Sequence, residues 1–284
     1  MHYAPDHTPR GGPGLPVLFA PLLVIMALGI VAFLAMPQAA AAASKTAQPG
    51  HFQLNASLDF SQGDYGQQTT TKVLYLPVTL QYTKSRWRFR ATLPWVRISG
   101  SQTVIDAGGD VLEVNPGTTT VSRNRSGVGD MSLKGGYLIV PKNRKLPYLE
   151  LWTRIKVPTA SRGKGLGTGK TDYTVGGDLF RRLGKVLPYL SLGYRFRGDT
   201  AARPRNNTFQ LSTGFSYDTG TKWRPGLNFS YREASTSRSS DRVEISPSLS
   251  WRPGKHWRLG LRGSAGLSRS VPNFGIGLSL RYVP

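Results

Sequence analysis

From His51 onward, apolar side chains recur at every second residue. Only an extended strand sends alternate side chains to one face; a helix needs a period near 3.6. In "NFGIGLSLRY", Phe274, Ile276, Leu278, Leu280 and Tyr282 share one face, while Gly275, Gly277, Ser279 and Arg281 share the other. "WRLGLRGSAGLS" and "WRPGLNFSYR" repeat the pattern, and similar runs lie near 51–61, 72–83, 86–98, 129–140, 146–157, 171–182, 187–198, 207–218 and 241–252. Together they predict about 12 strands. No helical period of useful length follows the N-terminal stretch, and no linker divides the strands. The reading is one all-β domain over 44–284.

The joins between strands alternate in length. "TKSR", "PKNRK", "LGKV", "DTGTK" and "RPGKH" are short and turn-rich, whereas 61–71, 99–128, 158–170, 199–206 and 233–240 are longer and polar. Only the final join, "RSVPN", departs from this order. Short turns at one end and long loops at the other predict a transmembrane antiparallel up-and-down β-barrel. A soluble β-sandwich is the competing architecture, and the aromatic residues decide between them. Tyr82 and Trp87, Tyr217 and Trp223, and Trp251 and Trp257 flank three short turns on the apolar face. Strand ends are where an interfacial girdle needs amphipathic rings, whereas a sandwich core needs them at strand centres. Closure into a barrel follows, because lipid cannot satisfy an open sheet edge.

The N-terminus predicts export. Arg10 precedes "PVLFAPLLVIMALGIVAFLAM" and then "PQAAAAAS". A basic flank, an apolar run and a small-residue cleavage site describe a signal peptide over 1–43. A retained transmembrane anchor is the alternative reading of the same run. Met26 offers a second start with a shorter apolar run.

Charge then narrows the partners. Lys+Arg number 37 against 15 Asp+Glu, a formal net charge of +22. Such an excess asks for an anionic partner. On an exported barrel it is spread around the wall and loops, which argues against nucleic acid. The expected partners are outer-membrane lipid and lipopolysaccharide, the barrel-assembly machinery and a small-molecule solute.

"SRGKGLGTGKTDY" (161–173) tests whether the chain uses a nucleotide instead. A P-loop reads G-x-x-x-x-G-K-[ST] between a strand and a helix. Gly169, Lys170 and Thr171 supply its second half, but the first glycine falls on Lys164. The segment also joins two predicted strands, so it reads as a glycine-rich loop. Its lysines would meet lipopolysaccharide or the pore mouth.

Three segments, "IKVPTASRGKGLGTGKTDYTVGGDL", "SGVGDMSLKGGYLI" and "PYLSLGYRFRGD", resemble bacterial outer-membrane proteins of the "MetA-pathway of phenol degradation" family. The resemblance covers roughly 51–283 and implies an outer-membrane barrel and a transport role. The last strand also resembles the assembly signal of such barrels at Gly277, Leu280 and Tyr282. It departs from that signal by ending on Val283-Pro284 and by placing Gly275 where a polar residue is expected.

By alternation, Arg88, Arg90, Lys134, Arg154, Lys156, Arg195, Arg197, Arg224, Arg232, Arg258, Arg262 and Arg281 point into the barrel. So do the aromatic residues Tyr75, Tyr148, Trp152, Phe180 and Tyr189. The expected function is passive passage of small anionic or aromatic solutes through a basic lumen. Two alternatives stay open: a closed barrel with a structural or surface role, and a lipid-modifying enzyme. The enzyme reading is disfavoured because the exported part holds only His51 and His256, both at the short-turn end. There is no cysteine. No catalytic residue, metal site or cofactor is assigned.

Overall fold

The structure, a computed structural model, describes residues 50–65, 70–100, 103–105, 112–114, 123–143, 145–198, 205–236 and 239–284. The predicted signal segment 1–43, Arg144 of the short join "PKNRK" and Arg203 and Arg238 of the longer joins lie outside the described residues.

The strands run β1 (His51–Gly63), β2 (Thr71–Lys84), β3 (Trp87–Gly100), β4 (Thr103–Ile105), β5 (Leu112–Val114), β6 (Arg123–Val128), β7 (Met131–Ile139) and β8 (Tyr148–Val157). They continue as β9 (Asp172–Phe180), β10 (Val186–Phe196), β11 (Thr208–Tyr217), β12 (Trp223–Arg232), β13 (Arg242–Trp251), β14 (Trp257–Gly266) and β15 (Phe274–Tyr282). Wall strands pair antiparallel with their chain neighbours, and β15 pairs with β1 from Leu54↔Tyr282 to Gln62↔Phe274. That last pairing closes the wall. β4 and β5 form a separate hairpin within the β3–β6 connection.

β6 and β7 are two halves of one wall strand. β3 pairs with β7 up to Thr92↔Ser132 and with β6 from Trp95↔Val128 onward. Two residues of β3 (93–94) therefore face three on the other side (129–131), which is a β-bulge. Pro94 lies in it and has no N–H to donate; instead its carbonyl accepts from Gly129 N–H at 2.9 Å. Counting β6 and β7 as one strand, the wall has twelve. The stretch 99–128, read from the sequence as one long loop, thus holds a hairpin and the upper half of a wall strand. The extra residue reverses inward and outward positions beyond it, which alternation alone misses.

The outer face is apolar. Leu151, Leu261, Ile276 and Leu278 are about half exposed, an arrangement that lipid favours and water would not. At the end of the short turns, aromatic rings pair along the rim. Trp223 stacks on Trp251 at 5.5 Å, Trp257 meets Tyr282 at 4.7 Å, and Trp87 meets Tyr137 edge-on at 4.8 Å. Tight chemistry fixes these turns. Leu183 and Val186 exchange both backbone hydrogen bonds, and Gly184 between them takes φ 58°, where a side chain would be strained. The opposite end carries the longer loops and the entrance structure described below.

Candidate functional site

The interior has three zones. At the loop end, Val73, Val96 and Ile98 point inward and pack with Tyr65, Ala160 and Leu166 into a small buried core. An apolar cluster inside a barrel needs a lid to keep water out. Segment 158–171, which joins β8 to β9, supplies it. Leu166 is fully buried, and Arg125 reaches the Gly165 carbonyl at 3.5 Å. Burial pushes the Tyr65 phenol up to about 12, so it stays neutral at any ordinary pH. Gly165 and Gly169 take φ values of 63° and 68°, which lets the segment turn inward. The glycines of the P-loop-like motif serve this fold-back.

Beside that core sits a buried ionic cluster. Lys156 Nζ lies 3.2 Å from Asp130 and 3.3 Å from Asp172, and donates to Thr168 Oγ1 at 2.7 Å. Arg195 bonds Asp172 at 2.9 Å, and Arg205 stands 3.9 Å from the same carboxylate. The carboxylates also tie the two loops down: Ala160 N–H donates to Asp130 and Gly198 N–H to Asp172, each at 3.0 Å. Thr159 adds a clasp, accepting from Met131 N–H and donating to the Gly129 carbonyl, both at 2.8 Å. Charges this deep must be paired, and these are.

In the middle lies a cavity of about 460 Å³, with walls that include Asp59, Tyr75, Arg154, Gln210, Asn228 and Arg262. Arg262 bonds Asp59 at 3.3 Å yet keeps 56% of its side chain exposed, so its charge is available to a solute. Gly277 faces this pair; a Cβ there would run into the Asp59 carboxylate. Trp152 lies flat against the wall, because Gly176 and Gly193 leave a trough for its indole. Its N–H donates to Asp178 at 2.8 Å, and Lys134 Nζ sits 3.9 Å above the ring. Lys134 also lies 3.6 Å from Asp178.

The turn end is richest in arginine. Arg88 pairs with Glu150, Arg90 Nε donates to Gln81 at 2.6 Å, and Arg224 reaches Asp218 at 3.4 Å. Arg258 and Arg281 stand directly opposite one another on β14 and β15. Tyr148 stacks on Phe180 at 5.6 Å, and the Tyr189 hydroxyl donates to Asn228.

These placements sort the residues singled out by alternation. Lys156 and Arg195, expected at the lumen surface, are sealed in the loop-end cluster, Lys156 against Thr168 of the 158–171 segment and Arg195 against Asp172. Trp152 also borders the cavity, but its ring packs against the wall and is only 8% exposed. Arg197 lies just past the end of β10, at the rim, where its N–H donates to Asn207. Arg154, Lys134 and Arg262 line the cavity together. Alternation missed the inward apolar core. Its only trace in the sequence is "LPWVRI" (93–98), apolar on both faces. Leu280 and Tyr282 lie on the closing strand β15 beside β1. His256 Nδ1 is 2.8 Å from the Val283 carbonyl, and His51 begins β1, so both histidines sit at the turn end. Among the described residues, no cluster of His, Asp or Glu has the makings of a metal site.

A closed antiparallel wall, apolar outside and polar within, defines an integral outer-membrane β-barrel. More particularly, the chain belongs to the family described as "Putative MetA-pathway of phenol degradation", which matches residues 39–282. No curated protein matches the chain. Among solved structures, the COG4313 outer membrane channel from Pseudomonas putida F1 is similar with a TM-score of 0.62 at 14% identity, covering 86% of this chain and 100% of that one. The KdgM porin follows at 0.52 and 10% identity, covering 81% and 98%. The NanC porin stands at 0.51 and 9% identity, with the same coverages. At these identities the likeness is one of fold.

Proposed function

We propose that this protein is an outer-membrane channel for passive diffusion of small solutes, with a preference for acidic ones. The observation that carries the reading is the 460 Å³ cavity, set inside a closed barrel and walled by polar and basic side chains. Large charged groups do not fill a dry core, whereas a wet lumen accommodates Arg154 and Arg262 readily. Positive walls lower the electrostatic cost of an entering anion. The solved relatives named as channels and porins support the same reading. Aromatic acids would find Tyr75 beside these arginines.

One observation favours a second reading, a barrel closed at rest. The loop-end core around Leu166 and the ionic cluster beneath it narrow the lumen. The surface contacts follow from charge. Lys84, Arg86 and Lys145 at the turns and Arg162 in the 158–171 segment would meet lipid and lipopolysaccharide phosphates. The Gly277, Leu280 and Tyr282 pattern on β15 would be read by the barrel-assembly machinery. Single-channel current through the refolded barrel under a salt gradient tests the proposal. Discrete steps with an anion-selective reversal potential, weakened by Arg154→Gln and Arg262→Gln, are expected. A folded but silent barrel would sink diffusion and leave the closed reading.

A further inference from the structure

Most lumen cations in this barrel have a partner. Arg88 has Glu150, Lys134 has Asp178, Arg224 has Asp218, and Arg262 has Asp59. Arg258 and Arg281 break the pattern. They are directly opposed across the β14–β15 ladder and share the inward face near the turn end. Among the described residues neither makes an ion pair or a hydrogen bond. On its far side Arg281 faces Asn55 of β1, a neutral donor. The charges that act on Arg258 are Arg252, Arg281 and Arg224, all positive, and Arg281 in turn acts on Arg90 of β3.

Like charges directly opposite on neighbouring strands destabilise a sheet. Water and salt screen part of that cost, since Arg281 is exposed and Arg258 half-buried, and a bound anion would offset the rest. Two guanidinium groups side by side offer forked N–H donors that match the oxygens of a carboxylate, sulfonate or phosphate. The neighbouring Asn55 amide adds a neutral donor from β1.

We infer that Arg258 and Arg281 form an oxyanion-binding station at the turn-end mouth, where the acidic group of a passing solute bridges both guanidinium groups. The inference rests on the channel reading for its traffic, but not for its chemistry. It adds a second anion contact at one mouth of the lumen, apart from the cavity arginines. The solute class is a small molecule carrying an exposed oxyanion.

Two measurements test the station separately from the channel. The first is the unfolding midpoint of the refolded barrel in neutral detergent, in chloride and in inorganic phosphate at equal ionic strength. Phosphate is expected to raise the wild-type midpoint and to leave Arg258→Gln and Arg281→Gln unmoved. In chloride both variants are expected to be more stable than wild type, because repulsion has been removed. A purely structural pair would give the opposite sign. Variants less stable in chloride, or an equal phosphate response in all three proteins, would overturn the station. Should either glutamine variant fail to fold, Arg281→Lys keeps the charge, loses the fork and is expected to halve the phosphate response or more; an unchanged response would count against the station.

The second measurement is block of single-channel chloride current by phosphate added to each side in turn, in a phosphatidylcholine bilayer. Saturable block from one side, with the half-blocking concentration raised about tenfold in the double glutamine variant, is expected from loss of paired charged hydrogen bonds. Current without one-sided block refutes the station and spares the channel. A silent barrel that still shows the phosphate-dependent midpoint refutes the channel and spares the station.

Discussion

Lys156 Nζ lies 3.3 Å from the Asp172 carboxylate, and neither side chain is accessible to solvent. The same ammonium holds Asp130 at 3.2 Å and Thr168 at 2.7 Å. One lysine on a wall strand therefore grips β9, the bulge and the 158–171 segment together. Lys156→Met would take this cation from the buried Asp130 and Asp172 carboxylates, a loss of about 3–5 kcal/mol where a buried pair is broken on one side. We expect a lower unfolding midpoint in urea. We also expect larger single-channel current, because the lid loses its anchor. Unchanged current with lowered stability would show that the segment stays seated on Leu166 alone.

Leu166 is the apolar half of that seat. It is fully buried against Val96 and Ile98, so Leu166→Ala should cost about 2–5 kcal/mol of local stability. Protease digestion of the folded barrel reads this out. Cleavage within 158–171 should appear in the variant at protease levels that leave the parent intact.

The indole of Trp152 depends on the absence of side chains beneath it. A Cβ at Gly176 would meet both the ring and the Leu192 carbonyl. Gly176→Val should displace the ring into the lumen and destabilise the barrel by about 1–3 kcal/mol through overpacking. A red-shifted tryptophan emission, together with a lowered midpoint, is the expected pair of signals.

Asp218 sets the acid sensitivity of one turn. The Gly220 N–H, then the Arg182 guanidinium, hold its carboxyl below the usual range. A depressed folded value gives stability that is complete above the unfolded value near ~3.9 and lost as pH falls through the folded one. Asp218→Asn should therefore flatten the acid limb of the stability curve below about pH 4 and change little in its shape above. Midpoints measured from pH 2 to 7 check this.

Export makes a chemical prediction about residues 1–43. Protein extracted from outer membranes should begin near Ser44, as mass spectrometry of the intact chain would show. A mass that includes Met1 or Met26 would identify a retained anchor.

Period-two alternation determined the strands, their two faces and the closed membrane barrel. The reason is local: successive Cβ atoms of an extended chain point to opposite sides whatever the chain's neighbours are. The join lengths likewise determined which end carries turns and which carries loops. Alternation also placed Lys156 and Arg262 on the same inward face, and there its information stopped. One is sealed beneath a folded-in loop and the other is 56% exposed, because the difference lies in what packs above each. The bulge at 129–131 shows the same limit. One extra residue opposite Pro94 reversed the facing of β6, and only the pairing with β3 reveals it. Which cations find carboxylates, and which two arginines face each other without one, depends on register across strands far apart in the chain. Closure of the barrel fixed those encounters, since a side chain's partners in a sheet are set by its neighbours in space.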